Sequence, residues 1–183
     1  MMKNLKAKSG SVGRLLVTHI GMAVFGTVLF LWTNQMGQGL TLAVGIFSAL
    51  FYAMMVYVPM WELGAKDKAA IDAGRLDGYK SIGFSVGAAA QLPFILLTLI
   101  YFVCSFFPES AAAASVFAVC YAILILIDGC FTGIMITLAP RGENFYVVAA
   151  VFLLGSLFIV AVSGIAYLLG TKEWQLFPKK ANK

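Results

Sequence analysis

The feature that most constrains this chain is a series of long apolar stretches without charged side chains. Residues 15–61, 81–108 and 144–171 contain no Asp, Glu, Lys or Arg, and about 18 apolar residues are enough for a membrane-spanning helix. Hydrophobic residues make up 61% of the chain and charged residues 11%, against about 45–50% and roughly 25% in soluble domains. Period-two alternation typical of a barrel is absent. The sequence predicts an all-α integral membrane protein that is embedded in the lipid bilayer and has it as a partner.

The apolar stretches predict a bundle of about five transmembrane helices with short loops, which forms one polytopic membrane domain over residues 1–183. The basic start and the long first apolar run favour an uncleaved first span over a signal peptide. Tyr52, Tyr57 and Trp61 crowd the end of the second span, which predicts that this end lies at the headgroup boundary. The five predicted spans cover about residues 15–32, 40–60, 81–103, 114–138 and 145–169.

A polar segment over residues 61–80 interrupts the apolar sequence and carries four acids and four bases. Gly64, Gly74 and Gly78 are poor helix formers, so we expect only one or two helical turns near residues 65–73, lying on the membrane surface. The balanced charge makes this loop a poor binder of anionic lipid. Its four acids lie five residues apart, and we interpret them as part of a solvated face.

The distribution of Lys and Arg predicts the orientation, because these residues mark the cytoplasmic side. Five spans with the N-terminus inside leave four tail lysines outside. A re-entrant alternative removes this conflict: residues 111–139 would enter and leave at one side, break at Asp128-Gly129, and place twelve basic residues inside against Arg141 outside. Such a loop must be buried in protein or line a wet cavity. Both arrangements keep the N-terminus cytoplasmic, and the short loops favour a bacterial cytoplasmic membrane.

Three polar residues within the apolar stretches are the candidate binding residues. An acid at this depth is costly, so Asp128 would be a proton or cation site or the anchor for a cationic substrate. As a structural residue it would be protonated, bond a neighbouring Ser or Thr, or cap a broken helix. His19 would relay protons, pair with Asp128 if the bundle brings them together, or form a simple hydrogen bond. Gln91, two residues before Pro93, would line a cavity or bond a neighbouring helix.

Two glycine pairs, Gly83 with Gly87 and Gly129 with Gly133, have the GxxxG spacing that lets helices approach closely. The three cysteines have neither zinc-site nor CxxC spacing, and we interpret them as small apolar residues. Nucleophile, P-loop and paired-histidine motifs do not occur in usable contexts. The sequence therefore predicts no catalytic residues, no metal, no cofactor and no nucleic-acid partner.

Three functions are compatible with these residues. The first is a non-enzymatic membrane component of a larger assembly, which would dock other membrane subunits or a second copy through its glycine faces and central loop. The second is a small transporter or channel built around Asp128, with Gln91 and His19 as further polar groups. A membrane-embedded enzyme that acts on lipid comes third, because it would need a nucleophile or a metal set.

Overall fold

The structure, a computed structural model, describes residues 8–74, 81–140 and 144–173, and these form helices joined by short turns. Four helices are long and apolar enough to cross a membrane, or five if the bent pair over residues 111–138 is counted as one span, and no strand occurs in these ranges. The prediction of an all-α chain with several span-length helices is therefore confirmed. In chain order the helices are α1 (Ser9–Thr33), α2 (Gln38–Asp72), α3 (Ile82–Cys104), α4 (Ala111–Ile127), α5 (Gly129–Leu138) and α6 (Phe145–Thr171).

The four span-length helices, α1, α2, α3 and α6, have ends at two common levels. At the first level, which we call the charged end, Lys8 before α1 forms an ion pair with Asp67 near the end of α2. Lys68 on α2 lies 3.7 Å from Glu173, just after α6. The start of α1 and the last turns of α2 and α6 therefore meet at one end of the bundle.

The second level, which we call the aromatic end, is where α3 finishes and α6 begins. The ring of Phe102 lies 6.5 Å from that of Phe145, and the ring of Phe106 lies 6.1 Å from it. At the other end of the same helix pair, a Cβ on Gly83 would contact the ring of Tyr167. Helices α3 and α6 are therefore antiparallel, and α3 begins at the charged end.

Helices α4 and α5 together form a hairpin that starts and finishes at the aromatic end. Six residues separate α3 from α4, and six separate α5 from α6. Such connections reach about 25 Å at most, whereas the 27 residues of α6 extend about 40 Å. The axes of α4 and α5 are bent by 117°. The structure therefore has no single helix over 114–138, and the break lies at Asp128, where the re-entrant alternative placed it.

The break between α4 and α5 is stabilised by hydroxyl groups that donate hydrogen bonds to the backbone carbonyl groups at the end of α4. A broken helix leaves its last carbonyl groups without intrahelical partners. Thr132 Oγ1 donates to the carbonyl of Ile125 at 3.0 Å, and Thr27 Oγ1 on α1 donates to the carbonyl of Leu126 at 3.3 Å. The hairpin is thus a hydrogen-bonded structure that depends on α1.

Glycines allow the hairpin and the long helices to approach closely. A Cβ on Gly129 would lie 2.7 Å from the Thr27 nitrogen of α1, and one on Gly133 would lie 2.8 Å from the Thr41 oxygen of α2. Gly83 and Gly87 lie in the same way against α6. All four predicted packing glycines therefore contact helices of their own chain.

The polar segment after the second predicted span differs from the expected surface loop. Helix α2 continues without interruption through Pro59 to Asp72, so the prediction of one or two short turns is wrong. The reason is that Gly64 is buried against α6, where its Cβ would lie 3.1 Å from Cα of Gly170. A residue that weakens an isolated helix here permits a helix contact, and the packing stabilises the helix. Residues 75–80 of the segment lie outside the described residues.

Candidate functional site

Four polar side chains from separate parts of the chain meet about half-way along the bundle. They are His19 on α1, Tyr52 on α2, Gln91 on α3 and Asp128 at the break between α4 and α5. Each is at most 3% exposed. The three binding residues predicted from the sequence thus lie in one cluster, and the bundle brings His19 and Asp128 together.

Tyr52 connects two members of the cluster. Gln91 Nε2 donates to the Tyr52 hydroxyl at 2.8 Å, so the hydroxyl proton is available to His19 Nδ1, which lies 2.8 Å from the same oxygen. Since a neutral imidazole carries one N–H, Nδ1 then accepts and Nε2 carries the proton. Nε2 lies 3.5 Å from Asp128 Oδ1. The hydrogen bonds therefore direct a proton-bearing nitrogen towards the carboxyl group.

Aromatic rings fix the orientation of the imidazole. The ring of His19 stacks on Phe94 at 3.8 Å with an interplanar angle of 23°. Tyr52 meets it edge-on at 5.5 Å and is itself in edge contact with Phe131 of α5. Because these contacts come from three helices, His19 has little freedom to turn away from Asp128.

The cluster is not fully hydrogen-bonded. Within the described residues, His19 Nε2, Gln91 Oε1 and both carboxyl oxygens of Asp128 have no hydrogen-bond partner. The 3.5 Å separation of Nε2 and Oδ1 exceeds the usual 2.7–3.2 Å of an N–H···O bond. Buried polar groups are normally satisfied, because an unmade hydrogen bond costs about 1–3 kcal/mol. The unsatisfied atoms therefore include a buried carboxyl group that lies beside a proton-bearing imidazole nitrogen.

The carboxyl group of Asp128 performs neither of the two bonding roles that the sequence suggested, the helix cap and the bond to a Ser or Thr. Asp128 is the N-cap residue of α5, but its side chain makes no capping hydrogen bond. Nor does a Ser or Thr of the described residues bond to its carboxyl oxygens, since Thr132 Oγ1 reaches the backbone carbonyl of Asp128 at 3.4 Å instead. The hydroxyl groups of Thr27 and Thr132 stabilise the break instead, and the carboxyl group of Asp128 takes no part in it.

Tyr52 is the member of the cluster that the sequence did not reveal. Its position near Tyr57 and Trp61 indicated a headgroup boundary, but its side chain is 1% exposed and lies deep in the bundle. No periodicity could have found it, because apolar residues occupy every face of this helix and only packing shows which face is inside.

A second buried acid lies at the charged end. Asp67 forms an ion pair with Lys8 and accepts a hydrogen bond from the Tyr167 hydroxyl at 3.0 Å. The sequence placed Asp67 on a solvated face, and this is wrong because α2 continues and turns the residue towards α6. In contrast to Asp128, Asp67 has a partner for each of its carboxyl oxygens.

The remaining candidate ligands are dispersed. Within the described residues, no three His, Cys, Asp or Glu side chains come close enough to hold a metal ion. Cys130 is buried beside the cluster, and its Sγ donates to the carbonyl of Met22 at 2.9 Å. This thiol therefore joins α5 to α1.

Comparison of the chain with models of known protein families, with characterised proteins and with solved structures finds no match.

Proposed function

We propose that this protein is a non-enzymatic, multi-pass transporter or channel of the cell membrane that binds and passes protons at the His19–Asp128 pair. The observation that carries the proposal is the 3.5 Å approach of His19 Nε2 to an otherwise unpartnered, buried carboxyl group. One proton between these atoms would satisfy the donor and the acceptor together. Tyr52 would supply or receive a proton at the other ring nitrogen.

The depth of the cluster supports this function. His19 lies fourteen residues from the end of α1, and Tyr52 lies fourteen from the start of α2. At 1.5 Å per residue, both lie about 21 Å from the aromatic end. In a bilayer with a hydrocarbon core of about 30 Å, that position is within the apolar interior. Ionisable residues at such depth typically mark a proton or ion pathway.

The charge distribution supports an orientation with the charged end towards the cytoplasm. Residues 1–14, 66–80 and 172–183, which begin, join or end the helices at this end, carry twelve of the thirteen Lys and Arg residues, and such an excess marks the inside. Arg141 is the exception, in the segment between α5 and α6. The N-terminus is then cytoplasmic, and α4–α5 is a re-entrant hairpin that enters from outside. A bacterial source remains a prediction from the sequence.

The packing of the glycines does not favour the alternative function, a membrane component of a larger assembly. It depended on glycine faces free to dock a partner, and Gly83, Gly87, Gly129 and Gly133 all contact helices of this chain. The polar segment is likewise packed against α6 as far as Gly64 and Asp67.

The test is proton flux into proteoliposomes, driven by a potassium diffusion potential and read with an enclosed pH-sensitive dye. Asp128→Asn keeps the shape of the side chain and should abolish the flux. Asp72→Asn is the matched control, because Asp72 is 63% exposed and pairs only with Lys68 in the described residues. His19→Gln should also abolish the flux. The unfolding temperature of each variant establishes that it is folded.

Two results would overturn the proposal. One is a folded Asp128→Asn variant that conducts protons like the unmodified protein. The other is unmodified protein that conducts no more than protein-free liposomes, with copurification of a defined membrane partner, which would favour the assembly component instead.

A further inference from the structure

A cleft at the charged end lies between the first turns of α1 and the last third of α2. Its volume is about 80 Å³, which is room for two or three water molecules at ~30 Å³ each. Leu15 and Met60 form its floor and are buried, whereas polar side chains form its rim. The lining residues are Ser11, Arg14, Leu15, Pro59, Met60, Glu62, Leu63 and Lys66.

The rim carries two bases and one acid, and the bases are only lightly engaged. Arg14 lies 3.6 Å from Glu62, and its side chain is 60% exposed. Lys66 is exposed and forms no ion pair with any residue that the structure describes. A guanidinium offers five N–H donors, so most of those of Arg14 remain available. The balanced charge of residues 61–80 predicted poor binding of anionic lipid, but Arg14 of α1 adds a second base beside Glu62 and Lys66, so the rim has a net charge of about +1.

The cleft lies at the level of the lipid headgroups in the proposed orientation. Arg14 and Trp32 are eighteen residues apart on α1, which is about 27 Å along the helix axis and close to the hydrocarbon thickness of about 30 Å. With Trp32 at one interface, where indole rings prefer to lie, Arg14 reaches the other. A polar rim and an apolar floor at this level match a group that is charged at one side and apolar at the other.

We propose that this cleft binds the phosphodiester of an anionic glycerophospholipid from the leaflet at the charged end. Arg14 and Lys66 donate to the phosphate oxygens, and the half-buried Pro59 and Leu63 contact the glycerol and the first acyl carbons. Glu62 restrains the guanidinium and disfavours a more highly charged free phosphate. The net rim charge of about +1 complements the single negative charge of a phosphodiester. This site is independent of the proton function, since it lies at the end of the bundle.

Native mass spectrometry of the full chain in detergent, titrated with phosphatidylglycerol, tests the site. Each basic residue near a membrane surface contributes about 1 kcal/mol of attraction to anionic lipid. Arg14→Gln and Lys66→Gln should therefore each weaken binding about 5-fold, and the double variant about 30-fold. The matched control is Lys68→Gln: Lys68 is only two residues further along α2, but it pairs with Asp72 and Glu173 and should bind lipid normally.

Competing ligands identify the group that the cleft recognises. Phosphatidylcholine should bind much more weakly than phosphatidylglycerol, and millimolar inorganic phosphate should not displace the lipid. Displacement by inorganic phosphate would overturn the lipid assignment in favour of a free-phosphate site. Equal retention of lipid by the double variant and the unmodified chain would overturn the site altogether. Because binding is measured without flux, these outcomes leave the Asp128 test separate.

Discussion

The packing of the α4–α5 hairpin on α1 depends on Gly26, and replacement of Gly26 by alanine is a sharp test of the fold. A Cβ at Gly26 would lie 2.5 Å from the nitrogen of Cys130 and 2.6 Å from its Cα. Both are backbone atoms of α5, so no side-chain rotation can relieve the overlap. Ordinary contacts of this kind are about 1 Å longer, and α5 must therefore move away from α1 by about that distance.

The expected cost follows from two opposing contributions. Overpacking of a tight contact typically costs about 1–3 kcal/mol, and the rigid backbone places this one near the upper limit. Alanine regains up to about 1 kcal/mol over glycine in a helix. The net loss is about 2 kcal/mol, which corresponds to an unfolding temperature about 4–8 °C lower for a chain of this length.

Gly21→Ala provides the matched control, because it makes the same change in the same helix where a Cβ would meet nothing within 4 Å. It should leave the unfolding temperature unchanged or slightly higher. Gly45→Ala should be intermediate, since its Cβ would lie 2.8 Å from the nitrogen of Ile134.

Unfolding can be followed with a thiol-reactive dye, because Cys120 and Cys130 are buried in the folded chain. Displacement of α5 should also expose the Cys130 thiol below the unfolding temperature and reduce proton flux, since Asp128 moves with α5. If Gly26→Ala unfolded at the same temperature as Gly21→Ala, the close contact between α1 and the hairpin would be refuted.

Two further predictions concern the topology and the buried acids. For the topology, single cysteines are placed at Glu109, Asn144 or Lys172 in a cysteine-free background. Those at Glu109 and Asn144 should both be labelled from outside intact cells, whereas the one at Lys172 should react only after permeabilisation. Labelling of Glu109 and Asn144 from opposite sides would refute the re-entrant hairpin. For the buried acids, Asp67→Asn should lower the free energy of unfolding by about 3 kcal/mol, since removal of one partner from a buried ion pair is costly. Asp128→Asn should change the unfolding temperature by less than about 2 °C. Equal losses of stability in calorimetry would contradict the distinction between the two acids.

The sequence predicts the helical class and the position of the long helices, because these depend on local composition. The predicted spans 15–32, 40–60 and 145–169 lie within α1, α2 and α6, and 81–103 agrees with α3 to within one residue. The length of α2 beyond residue 60 was not predictable in this way. Its last turns are stabilised by the contact between Gly64 and α6, which is about one hundred residues away in the chain.

The sequence predicted three residues of the candidate site, but it did not predict how they are arranged in space. Asp128, His19 and Gln91 stand out because polar side chains in apolar stretches are costly and rare. Their convergence depends on the break at Asp128, and the hydroxyls that stabilise this break come from Thr27 as well as from Thr132. Tyr52 could not be identified, because a tyrosine near the end of a span suits the headgroup boundary equally well.

The two buried acids together show which one the fold uses for stability. The carboxyl oxygens of Asp67 are engaged separately by Lys8 and Tyr167, so this residue joins α1, α2 and α6 at the charged end. Asp128 lies deeper, yet both of its oxygens lack a partner in the described residues, although burial makes an unmade hydrogen bond costly. If stability alone determined this position, an apolar residue would suit the site better. An unsatisfied acid beside an imidazole oriented by Tyr52 is therefore the feature on which the proposed proton function rests.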